Sequence, residues 1–125
     1  MGAETTCRIL LVEDEPVITA LLQELLQDAG FEVVAVSTGA DALAAQLQTP
    51  AEVAIVDYGL PDINGLEVCQ RVGPALDGNR PRTILATGWG MLEPSQLAGV
   101  VDLLLEKPYN MRELLRSVEQ LASER

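Results

Sequence analysis

The 125-residue sequence contains no histidine. This absence excludes a phosphohistidine donor, a Ser-His or Cys-His hydrolase and a typical zinc enzyme within this chain. Any chemistry that the chain performs must therefore use carboxylates, hydroxyl groups and lysine.

Aromatic residues and cysteines are also scarce. Aromatic residues make up 3% of the sequence, against 48% for hydrophobic residues as a whole, which predicts an aliphatic core. The two cysteines, Cys7 and Cys69, lie far apart without metal-ligand spacing, and Cys69 falls on the apolar side of a predicted helix. We expect both to be reduced and without a chemical role.

The sequence also has few positive charges and no long apolar runs. It contains eight Lys and Arg but 19 Asp and Glu, which gives a formal charge of -11 and argues against direct binding to nucleic acid. The sequence has neither a run long enough to span a bilayer nor the features of a signal peptide. We therefore expect a cytoplasmic protein without a membrane partner, folded as one domain over residues 1–125 with a core at about 7–122.

Apolar segments with strand character alternate with segments in which apolar residues recur at helical spacing. We predict strands at 8–12, 31–36, 53–57, 83–87 and 100–105. We predict helices over 17–29, from 40 to near 50, over 66–72, around 95–98 and over 111–122, with the fourth short, frayed or missing. This alternation predicts an α/β fold with a doubly wound, five-stranded parallel sheet, (βα)5, covered by helices on both faces.

Four residues with useful chemistry follow the ends of predicted strands: Asp14, Asp57, Thr87 and Lys107. Open parallel sheets place their sites outside the carboxyl ends of the strands, so we expect these side chains to meet at one edge. Asp57 ends an apolar run and precedes a loop rich in Gly and Pro, which predicts an exposed carboxylate on a rigid support.

A divalent cation would relieve the repulsion among Glu13, Asp14 and Asp57 at this edge. Mg²⁺ suits such ligands, and the backbone carbonyl near Gly59 can complete its shell. Lys107 would then neutralise phosphoryl oxygens, and Asp57 would act as the nucleophile that forms an acyl phosphate.

The Thr87 hydroxyl is expected to donate a hydrogen bond to one of the phosphoryl oxygens. Asp62 and Asn64 are expected to shape the loop after Asp57 and to cap the third helix.

Four motifs in order resemble the receiver domain of response regulators, of the single-domain chemotaxis-regulator type, over nearly the whole chain. They are Leu11-Val12-Glu13-Asp14-Glu15, Val56-Asp57 with Leu60-Pro61 and Gly65, Thr87, and Lys107-Pro108-Tyr109. The resemblance implies a flavodoxin-like strand order of 2-1-3-4-5 and Mg²⁺-dependent transfer of phosphoryl to Asp57. The implied donor is a sensor histidine kinase or histidine phosphotransfer protein, and the implied output is a switched surface for a downstream protein.

Three positions depart from the usual receiver pattern. Leu104 stands where many receivers have an aromatic residue that moves with the switch threonine, Thr87. The sequence Thr87-Gly88-Trp89-Gly90 resembles a subgroup with a reduced fourth helix, and we expect Trp89 and its neighbouring glycines to carry the switch. Gly59 and Trp89 occupy the positions that flank the hydrolytic water in the family, so we expect slow self-dephosphorylation.

Other interpretations of these residues remain open. The chain could be a receiver segment from a hybrid histidine kinase, an aspartyl-phosphate hydrolase, or a degenerate receiver used only for docking. A hydrolase usually has a second Asp where this chain has Gly59, and it needs more chain for a substrate cap. We expect a phosphoacceptor rather than a turnover enzyme, without an effector domain, because only three residues follow the last predicted helix.

Overall fold

The computed structural model describes residues 7–72, 80–88, 90 and 92–124. The strands are β1 (Arg8–Val12), β2 (Glu32–Val36), β3 (Val53–Asp57), β4 (Arg82–Gly88) and β5 (Leu103–Lys107). All neighbouring strands are parallel, in the order β2-β1-β3-β4-β5. The predicted fold class is therefore confirmed, as is the implied strand order.

Helices connect successive strands and follow the last one. They are α1 (Pro16–Asp28), α2 (Gly39–Gln48), α3 (Gly65–Val72), α4 (Pro94–Leu97) and α5 (Met111–Ser123). Within the described ranges, every helix falls short of the length and apolar character that a bilayer span requires.

Helices cover both faces of the sheet. Ile9 and Leu11 of β1 belong to the core that also contains residues of α1 and α5, whereas Leu10 and Val12 belong to the core beneath α2 and α3. This division follows from the alternation of side chains along a strand. All four side chains are at most 1% exposed, which explains why β1 is apolar at every central position.

The predicted start of the fifth strand is wrong. The backbone N–H groups of Val100 and Val101 both donate to the carbonyl of Leu97, at 3.0 and 2.9 Å, so these residues form the turn after α4. β5 begins only at Leu103 and ends at Lys107. Apolar character alone could not separate the turn from the strand.

Asp102 marks the true start of β5. Its carboxylate accepts a hydrogen bond from the Thr83 N–H at 2.7 Å and pairs with Arg80 and Arg82, each at 3.3 Å. Burial opposes its ionisation, but the Thr83 N–H and the two guanidinium groups lower the pKa of Asp102 below its ordinary value. This stabilisation is present above the ordinary carboxyl pKa and is lost as the pH falls through the lowered one.

The fourth helix is four residues long, Pro94–Leu97, where the sequence predicted 95–98. Glu93 and Gln96 form a capping box at its start, and the chain turns extended at Ala98. Gly99 follows with φ of +78°, a conformation that favours glycine. Membership of the Thr-Gly-aromatic subgroup stays a prediction.

Candidate functional site

Asp57 is the last residue of β3, and the backbone at this strand end is held by β4 and by the start of α3. It pairs with Ala86 in the β3–β4 ladder, and the N–H of Tyr58 donates to the Ala86 carbonyl at 2.8 Å. The N–H of Gly65, at the start of α3, donates to the Tyr58 carbonyl at 2.8 Å. The loop after Asp57 therefore returns directly to the end of the strand that carries it.

The expectation that Asp57 is exposed is wrong, because its residue surface is only 6% accessible. The Lys107 ammonium lies 2.5 Å from Asp57 Oδ1, and Gly59 lies beside the other carboxylate oxygen. The Lys107 side chain of β5 thus lies against the carboxylate.

Glu13, Asp14 and Asp57 form an acidic group in which one oxygen of each lies within 4.8 Å of the others. Burial raises the pKa of Glu13 above its ordinary value, and the charges of Asp57 and Asp14 act in the same direction. The N–H of Glu15 and the ammonium of Lys107 oppose this shift without cancelling it. Three converging carboxylate oxygens fit a hard divalent cation, which would remove much of their mutual repulsion.

Lys107 ends β5 and is 42% exposed at its side chain. Burial alone would lower the pKa of Lys107, but the hydrogen bond and charge of Asp57, with the charge of Glu13, outweigh it and raise the pKa. The ammonium is therefore fully charged at neutral pH, and it is held beside the Asp57 carboxylate.

Thr87 lies in β4, one residue beyond the ladder partner of Asp57. It is 2% exposed, and its hydroxyl oxygen has no hydrogen-bond partner in the described part of the chain. A buried hydroxyl without a partner is costly and therefore uncommon in folded proteins. The unpartnered Thr87 hydroxyl is suited to a ligand that arrives at the Asp57 edge.

The remaining predicted residues have separate placements. Gly59 is exposed, and a Cβ atom built on it would lie 4.0 Å from Asp57 Oδ2. Leu104 is 37% exposed and lies in β5, opposite Leu85 in the ladder. Trp89 lies outside the described residues.

The loop residues Asp62 and Asn64 bind the starts of two different helices, whereas the sequence predicted that both cap α3. Asn64 Oδ1 accepts the Glu67 N–H at 2.9 Å, so its expected role as a cap of α3 is confirmed. Asp62 does not cap α3, because its carboxylate instead accepts the Gly39 and Ala40 N–H groups of α2. A capping aspartate can be recognised from sequence, but the distant helix that it caps cannot.

Tyr109 is a further neighbour of the site to which sequence analysis assigned no role of its own. Burial and the negative charge of Glu13 raise the pKa of its hydroxyl above the ordinary value. Tyr109 lines a cavity of about 450 Å³ together with Glu13, Lys107, Ile18 of α1 and Met111 of α5.

Comparison with known sequences matches residues 9–119 to the response regulator receiver domain family. The chain is 35% identical over 121 residues, 97% of its length, to the transcriptional regulatory protein TcrA of Mycobacterium tuberculosis. It is also 35% identical over 116 residues, 90% of its length, to the transcriptional regulatory protein GltR of Pseudomonas aeruginosa. Each match covers 48% of the relative, so the chain spans about half the length of these curated relatives.

Solved structures of receiver proteins are similar to this chain over nearly its whole length. A CheY-like receiver domain from Methanospirillum hungatei is similar with a TM-score of 0.84 and 30% identity, covering 95% of this chain and 96% of that one. The response regulator TrrA of Thermotoga maritima, solved in complex with Mg²⁺ and BeF, gives a TM-score of 0.80 and 32% identity, covering 93% and 99%. The strand-end acidic group, the lysine beside Asp57 and these matches lead to one conclusion: the chain belongs to the response regulator receiver domain family.

Proposed function

We propose that the chain accepts a phosphoryl group on Asp57 from a partner sensor histidine kinase or histidine phosphotransfer protein. Receiver domains take phosphate from histidine kinases and bind Mg²⁺ at an acidic pocket. The single observation that carries the proposal is the Asp57–Lys107 pair, at 2.5 Å, beside the carboxylates of Glu13 and Asp14.

The chain's own residues divide the reaction between them. An Asp57 carboxylate oxygen forms a bond to phosphorus while the bond from phosphorus to the donor breaks. Lys107 is already charged and adjacent, so it can stabilise the phosphoryl oxygens without a proton transfer. The Thr87 hydroxyl, which lacks a partner among described residues, donates to one of those oxygens.

Glu13, Asp14, Asp57 and the Gly59 carbonyl are the groups that would hold Mg²⁺. The bound cation would neutralise the negative charge that accumulates during transfer. The three carboxylates support this assignment because their oxygens converge within 4.8 Å.

Phosphate uptake tests this function directly. The purified chain is incubated with acetyl phosphate and Mg²⁺, and its intact mass is followed. We expect the mass of one phosphoryl group to be added, with no repeated turnover of a phosphate ester. Sustained ester hydrolysis would instead support an aspartyl-phosphate hydrolase, which Gly59 disfavours because it offers no second carboxylate.

The output is proposed to be a protein-binding surface. The relatives TcrA and GltR are named transcriptional regulatory proteins and are about twice as long as this chain. The charge of -11 would repel the nucleic-acid backbone, so the described domain is suited to a protein partner. Either a longer regulator or a hybrid kinase could contain such a module.

Phosphorylation is proposed to act through Thr87 and Trp89, since Leu104 cannot supply the usual aromatic partner. Trp89 is the only tryptophan, so its fluorescence reports on this segment alone. We expect Mg²⁺ with beryllofluoride to change the Trp89 emission, whereas Mg²⁺ alone should have a smaller effect. An unchanged spectrum, with analogue binding shown by an independent method, would contradict this switch.

The aspartyl phosphate is expected to be long-lived. A side chain at position 59 would emerge about 4.0 Å from Asp57 Oδ2, but glycine provides none to orient a water molecule. We expect Gly59→Asn and Trp89→Glu each to shorten the lifetime several-fold, measured as loss of the phosphorylated mass after removal of the donor. Gly59→Ala is the control, because its methyl group cannot orient water. A native lifetime that neither polar substitution shortens would show this explanation to be wrong.

A further inference from the structure

Asp62 forms an unusual link between the loop after Asp57 and a distant helix. Its Oδ1 accepts the Gly39 N–H at 2.8 Å, and its Oδ2 accepts the Ala40 N–H at 2.9 Å. Both oxygens therefore bind the first turn of α2, where backbone N–H groups lack helical partners. These hydrogen bonds lower the pKa of Asp62 to about 2, so the link is intact throughout the neutral range.

Capping of α2 does not by itself account for Asp62. The helix already has a local cap, because Thr38 Oγ1 accepts the Asp41 N–H at 3.0 Å. The main effect of the second cap, from Asp62, is therefore to fix the position of the loop rather than to stabilise the helix.

The same contact brings the loop close to α2. A Cβ atom built on Gly39 would lie 2.4 Å from the Ile63 side chain, so only glycine permits this approach without a shift. Ile63 follows Asp62, and its packing reinforces the hydrogen bonds from the two N–H groups of α2. The outer part of the loop is thereby fixed to α2, the helix between β2 and β3.

The inner part of the loop is fixed at Tyr58. Its carbonyl accepts the N–H groups of Leu60 at 3.1 Å and Gly65 at 2.8 Å. Gly59 lies between this anchor and Asp62, beside the carboxylate of Asp57. Loss of the Asp62 anchor would leave the Gly59 backbone held only by the hydrogen bonds at Tyr58, without a link to α2.

We propose that Asp62 is a positioning residue for Mg²⁺, which bridges the loop to α2 and so holds the Gly59 carbonyl beside Asp57. This inference rests on the proposed phosphoacceptor function. Asp62 touches neither the phosphoryl group nor the cation, so its effect falls on metal affinity rather than on the rate at saturating Mg²⁺.

The test compares Mg²⁺ binding by the full chain and its variants. Calorimetric titration with MgCl2 alone gives the affinity without any phosphoryl donor. We expect Asp62→Ala to weaken binding about tenfold, as supporting residues of metal sites commonly do, and Asp62→Asn to weaken it less because one oxygen remains. The phosphorylation rate with acetyl phosphate should approach the native value once Mg²⁺ is saturating.

Asp41→Asn is the matched control for charge. It also removes one negative charge at the first turn of α2, the turn that Asp62 binds. Asp41 lines a cavity that Asp14 also lines. A general electrostatic effect of removing one negative charge would therefore also appear in Asp41→Asn. We expect Asp41→Asn to bind Mg²⁺ with nearly native affinity.

Amide hydrogen exchange at Gly39 and Ala40 shows whether the hydrogen bonds to Asp62 have been broken, and thermal unfolding shows whether each variant is folded.

Faster exchange in an Asp62 variant that keeps native Mg²⁺ affinity would overturn the inference. An equal loss of Mg²⁺ affinity in Asp41→Asn would overturn it as well. If Asp62→Ala does not fold, Asp62→Asn decides by the same criteria. If the native chain binds Mg²⁺ and takes up phosphate, and the Asp62 variants bind Mg²⁺ equally well, the positioning role is wrong but the proposed function stands. If the native chain neither binds Mg²⁺ nor takes up phosphate, both the proposed function and the positioning role are wrong.

Discussion

Asp57→Asn abolishes the uptake of phosphate from acetyl phosphate, whereas the native chain gains one phosphoryl group in the presence of Mg²⁺. The amide has nearly the same shape as the carboxylate but cannot act as the nucleophile, so we expect complete loss rather than a slower reaction. Intact-mass measurement detects the difference directly. The Asp57 charge contributes to the raised pKa of Glu13, so its removal relieves repulsion and the variant should fold normally.

Asp41→Asn is a suitable control for this experiment as well, because it neutralises an exposed aspartate on α2 and leaves Asp57 in place. It should gain one phosphoryl group like the native chain. Uptake that persists in a folded Asp57→Asn variant would place the acceptor elsewhere and contradict the proposed function. No uptake by the native chain, despite measurable Mg²⁺ binding, would favour a receiver that is used only for docking.

The convergence of Asp14, Asp57 and Lys107 could be predicted because it depends on topology. Each residue lies at or just beyond the carboxyl end of a strand, and parallel strands bring those ends to one edge. The registers of β1 with β3, of β3 with β4 and of β4 with β5 then place these strand ends relative to one another. The number and order of the predicted strands were therefore sufficient to bring this part of the site together, although the predicted bounds of β5 were wrong.

Burial of Asp57 and the role of Asp62 could not be predicted in the same way. The Asp57 carboxylate lies against Lys107 of β5, two strands away in the sheet, and no local sequence pattern specifies the position of that side chain. Asp62 binds the N–H of Gly39, 23 positions earlier in the sequence, and any helix start could have supplied that partner. The start of β5 was missed for a related reason, since Asp102 is held by the distant Thr83.

Gly65→Ala is expected to be the most destabilising single-methyl change near the site. A Cβ atom at this position would lie 2.3 Å from the backbone oxygen of Asp57 and 2.8 Å from the Cα of Tyr58. These are backbone atoms, and the hydrogen bond from Tyr58 to the Ala86 carbonyl holds them in the sheet. The overlap can be relieved only if α3 moves away from the end of β3.

Such overpacking lowers the free energy of unfolding by about 1–3 kcal/mol, and the backbone location places Gly65→Ala at the upper end. Urea denaturation measures this loss, and phosphate uptake should slow because movement of α3 displaces the loop that joins Asp57 to Gly65. Gly59→Ala is the matched control: its methyl group meets no atom closer than 4.0 Å, so its stability should change by less than about 0.5 kcal/mol. Equal stability of the two variants would mean that β3 and α3 can separate freely, which is incompatible with a rigidly supported Asp57. A large loss confined to Gly65→Ala would show that close contact between strand and helix keeps the acceptor aspartate in place.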